Sequence, residues 1–271
     1  MRSVAIVGLG WFGLSLARDL RNLGWEVKGS KRTHEGVEEM RLWRLETYRL
    51  ELTPEINADP DDLTALLSVD SLVINIPPSD YFFDPESYEK GIENLVQEAL
   101  LCGVSHFIFI SSTSVFGDET GKFDESCEPH PKTPAAKALF HVEQMLRHLS
   151  RHLSQIDVDI LRFGGLIGAD RHPVRSMSGL HLNQGNTPVN LVHSEDCSRA
   201  VQLLLETPGG CRLYHLVAPY HPSRAQYYCA AAEQFHIEPP HFTCSEQDPN
   251  RVICGDKICT DLDFVYQYPN L

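Results

Sequence analysis

The sequence has no long hydrophobic run. None of its 271 residues belongs to an apolar stretch near the roughly 20 residues that a transmembrane helix needs, so no membrane span is expected. The first residues carry neither the apolar segment nor the cleavage site of a secretory signal peptide. We therefore expect a cytoplasmic protein.

Positive charge is also scarce. The chain has 23 lysines and arginines against 37 aspartates and glutamates, which gives a formal net charge of −14. Nucleic acids and anionic membrane surfaces are bound by basic faces, so neither is expected as a partner. The net charge does not exclude binding of a small anionic ligand, because a few local cations are enough to bind one.

Metal-binding and redox patterns are missing as well. The eight cysteines include no Cys-x-x-Cys pair, and the 13 histidines include no His-Glu-x-x-His motif. We expect no metal site. In a reducing compartment the cysteines would be thiols packed as small hydrophobic side chains.

The beginning of the chain carries a pattern typical of dinucleotide binding. Residues 4–7 are apolar and predict a buried strand, and residues 14–23 predict a helix. Between them stands Gly-x-Gly-x-x-Gly, whose glycines allow a sharp turn, a close approach of the backbone to a pyrophosphate, and close packing of helix on strand. Ordinary turn glycines are the alternative. The predicted cofactor contacts here are Gly8, Leu9, Gly10, Trp11, Phe12 and Gly13.

The residues after the second predicted strand, 25–29, indicate which dinucleotide is bound. An acidic residue at this place binds the ribose of NAD, whereas a cation meets the 2′-phosphate of NADP. This chain has Ser30, Lys31 and Arg32, with no acid before Glu35. We predict that these three residues contact the cofactor and that NADP is preferred over NAD, although a solvated basic turn would give the same pattern.

A third cofactor segment is predicted after a later strand. Residues 45–52 predict a strand, Asp59 begins a helix that runs through residue 67, and residues 71–76 predict a buried strand. The end of that strand should lie beside the cofactor. A diproline there could equally be a plain strand stop. The predicted contacts are Ile76, Pro77 and Pro78.

The rest of the first half alternates strand and helix. Helices are predicted over 85–103 and 134–153, and strands over 106–110 and 158–161. This rhythm predicts an α/β fold, a doubly wound parallel sheet of the Rossmann type.

The second half is rich in glycine and proline and poor in strands. It predicts helices from 194 or 195 to 206, over 223–235 and over 256–262, and a strand over 213–217. We expect a dinucleotide-binding domain at 1–163 and 189–208. Residues 164–188 and 209–271 would form a small substrate lobe over the carboxyl edge of the sheet.

Four segments in order carry a family resemblance. Ser-Ser-Thr-Ser-Val-Phe-Gly at 111–117 resembles Ser-Ser-x-x-Val-Tyr-Gly of the extended short-chain dehydrogenase/reductase superfamily, in its NAD-dependent epimerase/dehydratase group. Residues 159–168 resemble the segment that leads into that family's substrate lobe. Residues 190–200 resemble its Ile-His-Val-Asp-Asp helix start, and residues 214–217 resemble the Tyr-Asn-Val strand that follows. The first glycine loop is of an atypical type for extended members, which more often have Gly-x-x-Gly-x-x-Gly.

The resemblance implies a catalytic set that this chain carries only in part. In the family, a Tyr-x-x-x-Lys pair moves the proton during hydride transfer, and a Ser or Thr hydrogen-bonds the substrate oxygen. Aligning the Glu-Gln end of the helix puts Ala135 and Leu139 at the Tyr and Lys positions, and neither can exchange a proton. Ser112 falls at the Ser/Thr position and is the one candidate catalytic residue, suited to orienting a carbonyl.

Nearby polar residues offer weak substitutes for the missing base. Lys137 lies two residues from either position, which places it on another face of the helix, and His141 lies nearly two turns beyond Ala135. Lys132 and Thr133 precede the helix and could reach the site.

Two functions of different classes follow from these patterns. One is an NADP-dependent oxidoreductase or epimerase with non-standard acid/base residues, acting on a nucleotide-sugar-like or other small polar substrate. The other is a non-catalytic NADP-binding protein with a regulatory or redox-sensing role. The family often dimerises through two helices per subunit, here 85–103 and 134–153, so a homodimer is expected.

Overall fold

A seven-stranded parallel sheet organises the first half of the chain. The structure is a computed structural model, and it describes residues 2–78 and 84–271. The strands of this sheet are β1 (Ser3–Val7), β2 (Glu26–Lys31), β3 (Glu46–Arg49), β4 (Ser71–Ile74), β5 (His106–Ser112), β6 (Asp157–Phe163) and β7 (Cys211–Leu216). Their order is β7-β6-β5-β4-β1-β2-β3, so the winding reverses between β1 and β4. The predicted doubly wound α/β fold is confirmed.

Eight helices occur in the described residues, and most begin at a side chain that caps the free backbone N–H groups. Thr33, Asp59, Asp84, Thr133 and Ser223 each accept a hydrogen bond from a backbone N–H of the first turn. The helices are α1 (Trp11–Asn22), α2 (His34–Leu42), α3 (Pro60–Leu67), α4 (Pro85–Leu101), α5 (Pro134–His152), α6 (Ser194–Glu206), α7 (Arg224–Gln234) and α8 (Lys257–Leu262).

The chain forms two compact units. The first comprises Met1–Val115, Pro131–Leu161 and Ala200–Leu213, and the second comprises Phe116–His130, Arg162–Arg199 and Tyr214–Leu271. The domain boundaries predicted from sequence stay a prediction, with one detail corrected. The strand expected at 213–217 begins at Cys211 and is the edge strand of the central sheet, where it pairs beside β6.

The first unit buries its central strands completely. All four residues of β1 from Val4 to Val7 are fully buried, as are Leu72, Val73 and Ile74 of β4. On α1, Leu16 and Leu20 lie one turn apart on the same face and are also fully buried. Apolar runs of this kind are expected for parallel strands covered by helices on both faces.

Three elements of the first unit differ from the expectation. Strand β2 continues to Lys31 rather than ending at residue 29, because it pairs with β1 on one side and with β3 on the other. Helix α2 was not predicted, although Thr33 caps it and Val37 and Met40 form its buried face. The strand expected over 45–52 is two strands, β3 and Glu51–Leu52, and the latter pairs antiparallel with Ile56–Asn57.

A buried polar network crosses the sheet near the amino ends of four strands. The Arg212 guanidinium donates to the Asp159 carboxylate at 2.6 and 2.8 Å, and His106 Nε2 lies 2.8 Å from the same carboxylate. His106 Nδ1 lies 3.3 Å from the Ser71 hydroxyl. Asp159 and His106 are only 1% and 3% exposed, so the charges are paired away from water.

The second unit is built from short strand pairs around α7. Gly165–Ile167 pairs with Leu191–His193, His181–Leu182 with His241–Phe242, and Gly121–Phe123 with Arg251–Ile253, all in parallel. Strands of two or three residues give no hydrophobic periodicity, and for this reason the sequence did not predict them. Ile167, Val174, Val189, Leu191, Tyr227, Tyr228, Ala231 and Ala232 form a buried apolar cluster.

No helix in the described residues 2–78 and 84–271 has both the length and the apolar character needed to cross a bilayer.

Candidate dinucleotide site

The glycine loop lies at the carboxyl end of β1, where the winding of the sheet reverses. Gly8 has a φ of +107°, and a Cβ added to it would stand 2.4 Å from the main-chain oxygen of Asn75. A Cβ added to Gly13 would stand 2.2 Å from the main-chain oxygen of Gly8. Both positions therefore require glycine for reasons internal to the protein, as the fingerprint predicts for the turn and for helix packing.

The neighbouring strands hold the loop in place through side-chain hydrogen bonds. The Asn75 amide, just after β4, donates to the Gly8 carbonyl at 2.9 Å. The Ser30 hydroxyl, in β2, accepts from the Gly8 N–H at 3.2 Å, and the Ser30 carbonyl accepts from the Leu9 N–H at 3.1 Å. The loop is thus tied to β2 and β4 before any ligand binds.

Gly10 differs from the other two glycines because no protein atom would clash with a side chain at this position. A Cβ at this position would meet nothing within 4 Å, and its φ is an ordinary −76°. Gly10 is the N-cap of α1, where no side chain of the described residues caps the helix and the first turn has no acidic residue. Open space beside a helix N-terminus suits a phosphate, so the loop fits a dinucleotide pyrophosphate.

Two apolar loop side chains point into the protein. Leu9 is 1% exposed and packs against β2, where a Cβ on Gly29 would stand 2.4 Å from its side chain. Phe12 is 5% exposed, whereas Trp11 at the start of α1 is half-buried. Leu9 and Phe12 therefore anchor the loop to the core and leave their main-chain atoms for a ligand.

The predicted 2′-phosphate residues lie in different environments at the end of β2. Ser30 is buried and already hydrogen-bonds Gly8. Lys31, the last residue of the strand, is half-buried, and Arg32 is exposed. Thr33 caps α2 by accepting from the Gly36 N–H at 3.1 Å. The two cations thus stand together just before a second helix N-terminus.

The segment after β4 forms the other predicted wall. The Tyr88 hydroxyl, on α4, donates to the Ile76 carbonyl at 3.0 Å, and its residue is 1% exposed. Pro77 is exposed and Pro78 is half-buried. Because β1 and β4 are adjacent in the sheet, the glycine loop and this segment lie side by side.

Ser112 is the last residue of β5 and is half-buried. Its hydroxyl oxygen accepts from the Ser114 N–H at 3.1 Å, which fixes the direction of the side chain at the strand end. Ser112 thus lies at the carboxyl end of a central strand, and the role of orienting a substrate oxygen that the resemblance implies stays a prediction.

Helix α5 is held against β5 in a defined register. The Ser111 hydroxyl donates to the Glu143 carboxylate at 2.5 Å, and Glu143 is fully buried. Ala135 and Leu139 lie about two turns and one turn before Glu143 on the same helix. Ala135 is half-buried and Leu139 is 5% exposed. An alanine and a buried leucine therefore stand where the resemblance places the proton-transfer pair.

The weak substitutes for the base do not converge on that position. His141 is exposed and its Nδ1 lies 2.8 Å from the Glu89 carboxylate of α4. Lys137 is exposed on α5, and the Thr133 hydroxyl accepts from the Ala136 N–H as the helix cap. Lys132 is exposed just before the helix and has interactions of its own.

Comparison with known families decides the classification. The model of the NAD-dependent epimerase/dehydratase family matches residues 4–210, more than half of the chain. The chain belongs to this family. The match spans the glycine loop, β5 with Ser112, and α5, so the epimerase/dehydratase family supports a nicotinamide dinucleotide as the cofactor.

Three known proteins are similar to this chain over nearly its full length. Protein YeeZ of Escherichia coli strain K12 is 41% identical over 271 residues, which is 100% of this chain and 97% of that protein. Among solved structures, a UDP-glucose 4-epimerase from Thermotoga maritima with UDP-glucose has a TM-score of 0.81 at 17% identity, covering 98% of this chain and 94% of that one. A short-chain dehydrogenase/reductase superfamily protein from Agrobacterium tumefaciens with bound NAD has a TM-score of 0.80 at 17% identity, covering 98% and 93%. At such identities the two structures show the shared fold.

Sequence reasoning missed three residues that shape this epimerase/dehydratase site. Asn75 was a polar residue inside an otherwise apolar strand, and that interruption was the available signal. Glu143 was a charge at an apolar-face position of α5, between Val142 and Leu146. Tyr88 gave no signal, because its contact with Ile76 joins two elements that the sequence does not connect.

Proposed function

We propose that this protein binds NADP in preference to NAD at the glycine loop and does so without the family's Tyr/Lys proton transfer. The observation that carries the second part is the pair Ala135 and Leu139 on α5, whose register the Ser111–Glu143 hydrogen bond holds. The intact glycine loop supports dinucleotide binding, and Lys31 and Arg32 at the end of β2 support the preference for NADP. The protein is thus an NADP-binding member of its family with a regulatory or redox-sensing role, and a cytoplasmic location belongs to the same proposal.

Particular residues would hold the cofactor. The main chain of Gly8–Gly13 and the N-terminus of α1 would receive the pyrophosphate, because the space beside Gly10 is open. Lys31 and Arg32 would neutralise the 2′-phosphate with help from the N-terminus of α2. Ile76, Pro77 and Pro78 would form a wall of the groove. The bound nicotinamide would supply hydride exchange.

Titration of nucleotide fluorescence tests the cofactor preference. We expect NADPH to bind wild-type protein more tightly than NADH. The double variant Lys31→Ala/Arg32→Ala should weaken NADPH by about tenfold or more, since each charge-assisted hydrogen bond contributes roughly 1.5–3 kcal/mol, and should leave NADH nearly unchanged. Arg18→Ala/Arg41→Ala removes two exposed cations elsewhere and is the matched control. Equal weakening of both nucleotides would contradict the 2′-phosphate assignment.

A second candidate is an oxidoreductase or epimerase that acts on a nucleotide-sugar-like or other small polar substrate. The position of Ser112 at the end of β5 favours it, and the Thermotoga maritima neighbour is a UDP-glucose 4-epimerase. Incubation with NADP⁺ or NADPH and UDP-glucose, followed at several pH values, separates the two. Turnover that Ser112→Ala reduces would establish the enzyme. Tight NADPH binding with no turnover would instead support the non-catalytic NADP-binding protein.

A homodimer through α4 and α5 also belongs to the proposal. These helices pack side by side in the first unit, and their charged face includes Glu89, Lys90, Glu93 and His141. Sedimentation velocity gives the oligomeric state directly. A monomer at micromolar concentration would contradict this part without affecting the cofactor assignment.

A further inference from the structure

The second unit contains a cavity of about 500 Å³ beside α7, which we term the α7 cavity. Its walls include Ile167, His172, His193, Tyr227, Phe235 and Tyr268. The volume lies within the range of small-molecule pockets, about 300–1,000 Å³. The cavity shares no residue with the glycine loop, and Ser112 is not among its walls. The function of the dinucleotide site therefore does not account for it.

His172 connects the Val174 N–H to the Tyr227 hydroxyl through two hydrogen bonds, and we term this chain of hydrogen bonds the relay. The Val174 N–H donates to His172 Nδ1 at 3.2 Å, so Nδ1 presents a lone pair and the ring proton is on Nε2. His172 Nε2 lies 2.8 Å from the Tyr227 hydroxyl and therefore donates to its oxygen. Burial lowers the pKa of His172, which keeps the ring neutral and preserves this tautomer.

The Tyr227 hydroxyl keeps a proton that it can donate, because its oxygen is the acceptor in the bond with His172. Tyr227 is 7% exposed, and burial raises the pKa of its hydroxyl, so the phenol keeps its proton. Its oxygen already accepts from His172. No other hydrogen bond joins this hydroxyl to any part of the chain that the structure describes. A buried donor of this kind is stabilised when a ligand supplies an acceptor.

The other walls set the shape and charge of that ligand. The rings of His172 and Phe235 have centroids 5.2 Å apart, and those of His193 and Tyr268 stack at 3.8 Å. Such walls favour a flat ring. Within residues 2–78 and 84–271 neither lysine nor arginine is among the lining residues. The nearby Arg175 guanidinium stacks on the Phe235 ring, 4.6 Å from its centroid, so this cation is engaged by a wall rather than lining the cavity.

We propose that the α7 cavity binds an uncharged, flat-ring compound whose carbonyl oxygen accepts a hydrogen bond from the Tyr227 hydroxyl. The ring lies among the aromatic walls, and the relay from Val174 through His172 holds the hydroxyl proton toward the carbonyl. This cavity shares no lining residue with the glycine loop, and the proposal does not depend on the identity of the cofactor.

A matched pair of fragments tests the proposal. Acetophenone and ethylbenzene have nearly the same shape, and only the first has a carbonyl. Titration of the full-length protein followed by NMR should give acetophenone a Kd about fivefold lower than that of ethylbenzene, which is the fold-change for one net hydrogen bond of roughly 1 kcal/mol.

Variants distinguish the contribution of the hydrogen bond to fragment binding from that of the apolar cavity. Tyr227→Phe should abolish the difference between the two fragments. Tyr228→Phe removes a hydroxyl from the next residue of α7, which does not line the cavity, and should preserve the difference. Ala230→Trp, at an exposed position of the cavity rim, should exclude both fragments and serves if Tyr227→Phe does not fold.

Three results would overturn the proposal. These are equal binding of the two fragments to wild-type protein, unchanged preference in Tyr227→Phe, and binding that Ala230→Trp does not reduce. Equal binding of the two fragments would mean that they only partition into apolar space without a specific hydrogen bond.

Discussion

The Ser111 hydroxyl donates to the Glu143 carboxylate at 2.5 Å, and this buried contact holds α5 against β5. It sets which residues of α5 lie at the carboxyl end of the sheet. Ala135 and Leu139, which align with the family's proton-transfer pair, lie about two turns and one turn before Glu143 on this helix. The side chains at these two positions, alanine and leucine, have no proton to exchange.

Removing the Ser111 hydroxyl should destabilise the fold. In Ser111→Ala the buried Glu143 carboxylate loses a donor, and a cost of about 1–3 kcal/mol in the free energy of unfolding is expected. Urea denaturation measures it. Ser114→Ala changes an exposed serine of the following turn and should cost less than about 0.5 kcal/mol. Equal stability of the two variants would show that the contact does not hold the helix.

Two glycines of the loop should respond differently to alanine. Gly13→Ala places a Cβ 2.2 Å from the Gly8 carbonyl oxygen, so we expect a loss of several kcal/mol of stability. Gly10→Ala meets no protein atom and should keep wild-type stability within about 0.5 kcal/mol. Its NADPH affinity should nevertheless fall at least about tenfold, because the methyl group occupies the space for the pyrophosphate. Thermal melting and nucleotide titration check the two effects, and an unchanged affinity in Gly10→Ala would place the phosphates elsewhere.

The polar network at the amino ends of the strands should be important for stability alone. Asp159→Ala leaves the Arg212 guanidinium without its bidentate partner and His106 without its acceptor, and a loss of about 3–5 kcal/mol is expected. Because the network lies at the edge of the sheet opposite the glycine loop, NADPH affinity measured below the unfolding transition should stay unchanged. A drop in affinity with normal stability would contradict this separation.

His215 should make the fold sensitive to acid. The side chain is fully buried in the second unit, with Nδ1 3.1 Å from the Cys254 carbonyl and Nε2 3.4 Å from the Arg162 guanidinium. Burial, followed by the Arg162 charge, lowers its pKa from 6.5 to about 3. Between these values the unfolded chain binds a proton that the folded chain does not. Stability is therefore full above pH 6.5 and falls as the pH decreases toward 3, by up to about 1.4 kcal/mol per pH unit.

The variant His215→Gln isolates this contribution, since glutamine does not titrate. Urea denaturation of both proteins at several pH values between neutrality and pH 4.5 gives their difference in unfolding free energy. We expect the advantage of the wild type to shrink as the pH falls. A difference that is independent of pH would show that the pKa of His215 is the same in the folded and unfolded chains.

The elements with strong local signals could be predicted from sequence. The apolar run before Gly8, the cap at Asp59 and the long amphipathic helices α4 and α5 each carry their information within a few residues. Helix α2 was missed although Thr33 marks its start, because its short apolar face has only Val37 and Met40. The short strand pairs of the second unit were missed because each depends on a partner distant in sequence.

The sequence by itself determined the Gly-x-Gly-x-x-Gly pattern between a strand and a helix, and it determined that Ala135 and Leu139 align with the positions of the family's Tyr and Lys, because residue identity at fixed spacing decides both. Only the tertiary structure decided the roles of Asn75 at the loop, Glu143 behind β5 and Tyr227 in the α7 cavity. Each of these depends on which donor faces which acceptor across segments far apart in the chain, and on how completely water is excluded there. Burial and hydrogen-bond direction arise from packing and have no counterpart in local sequence pattern.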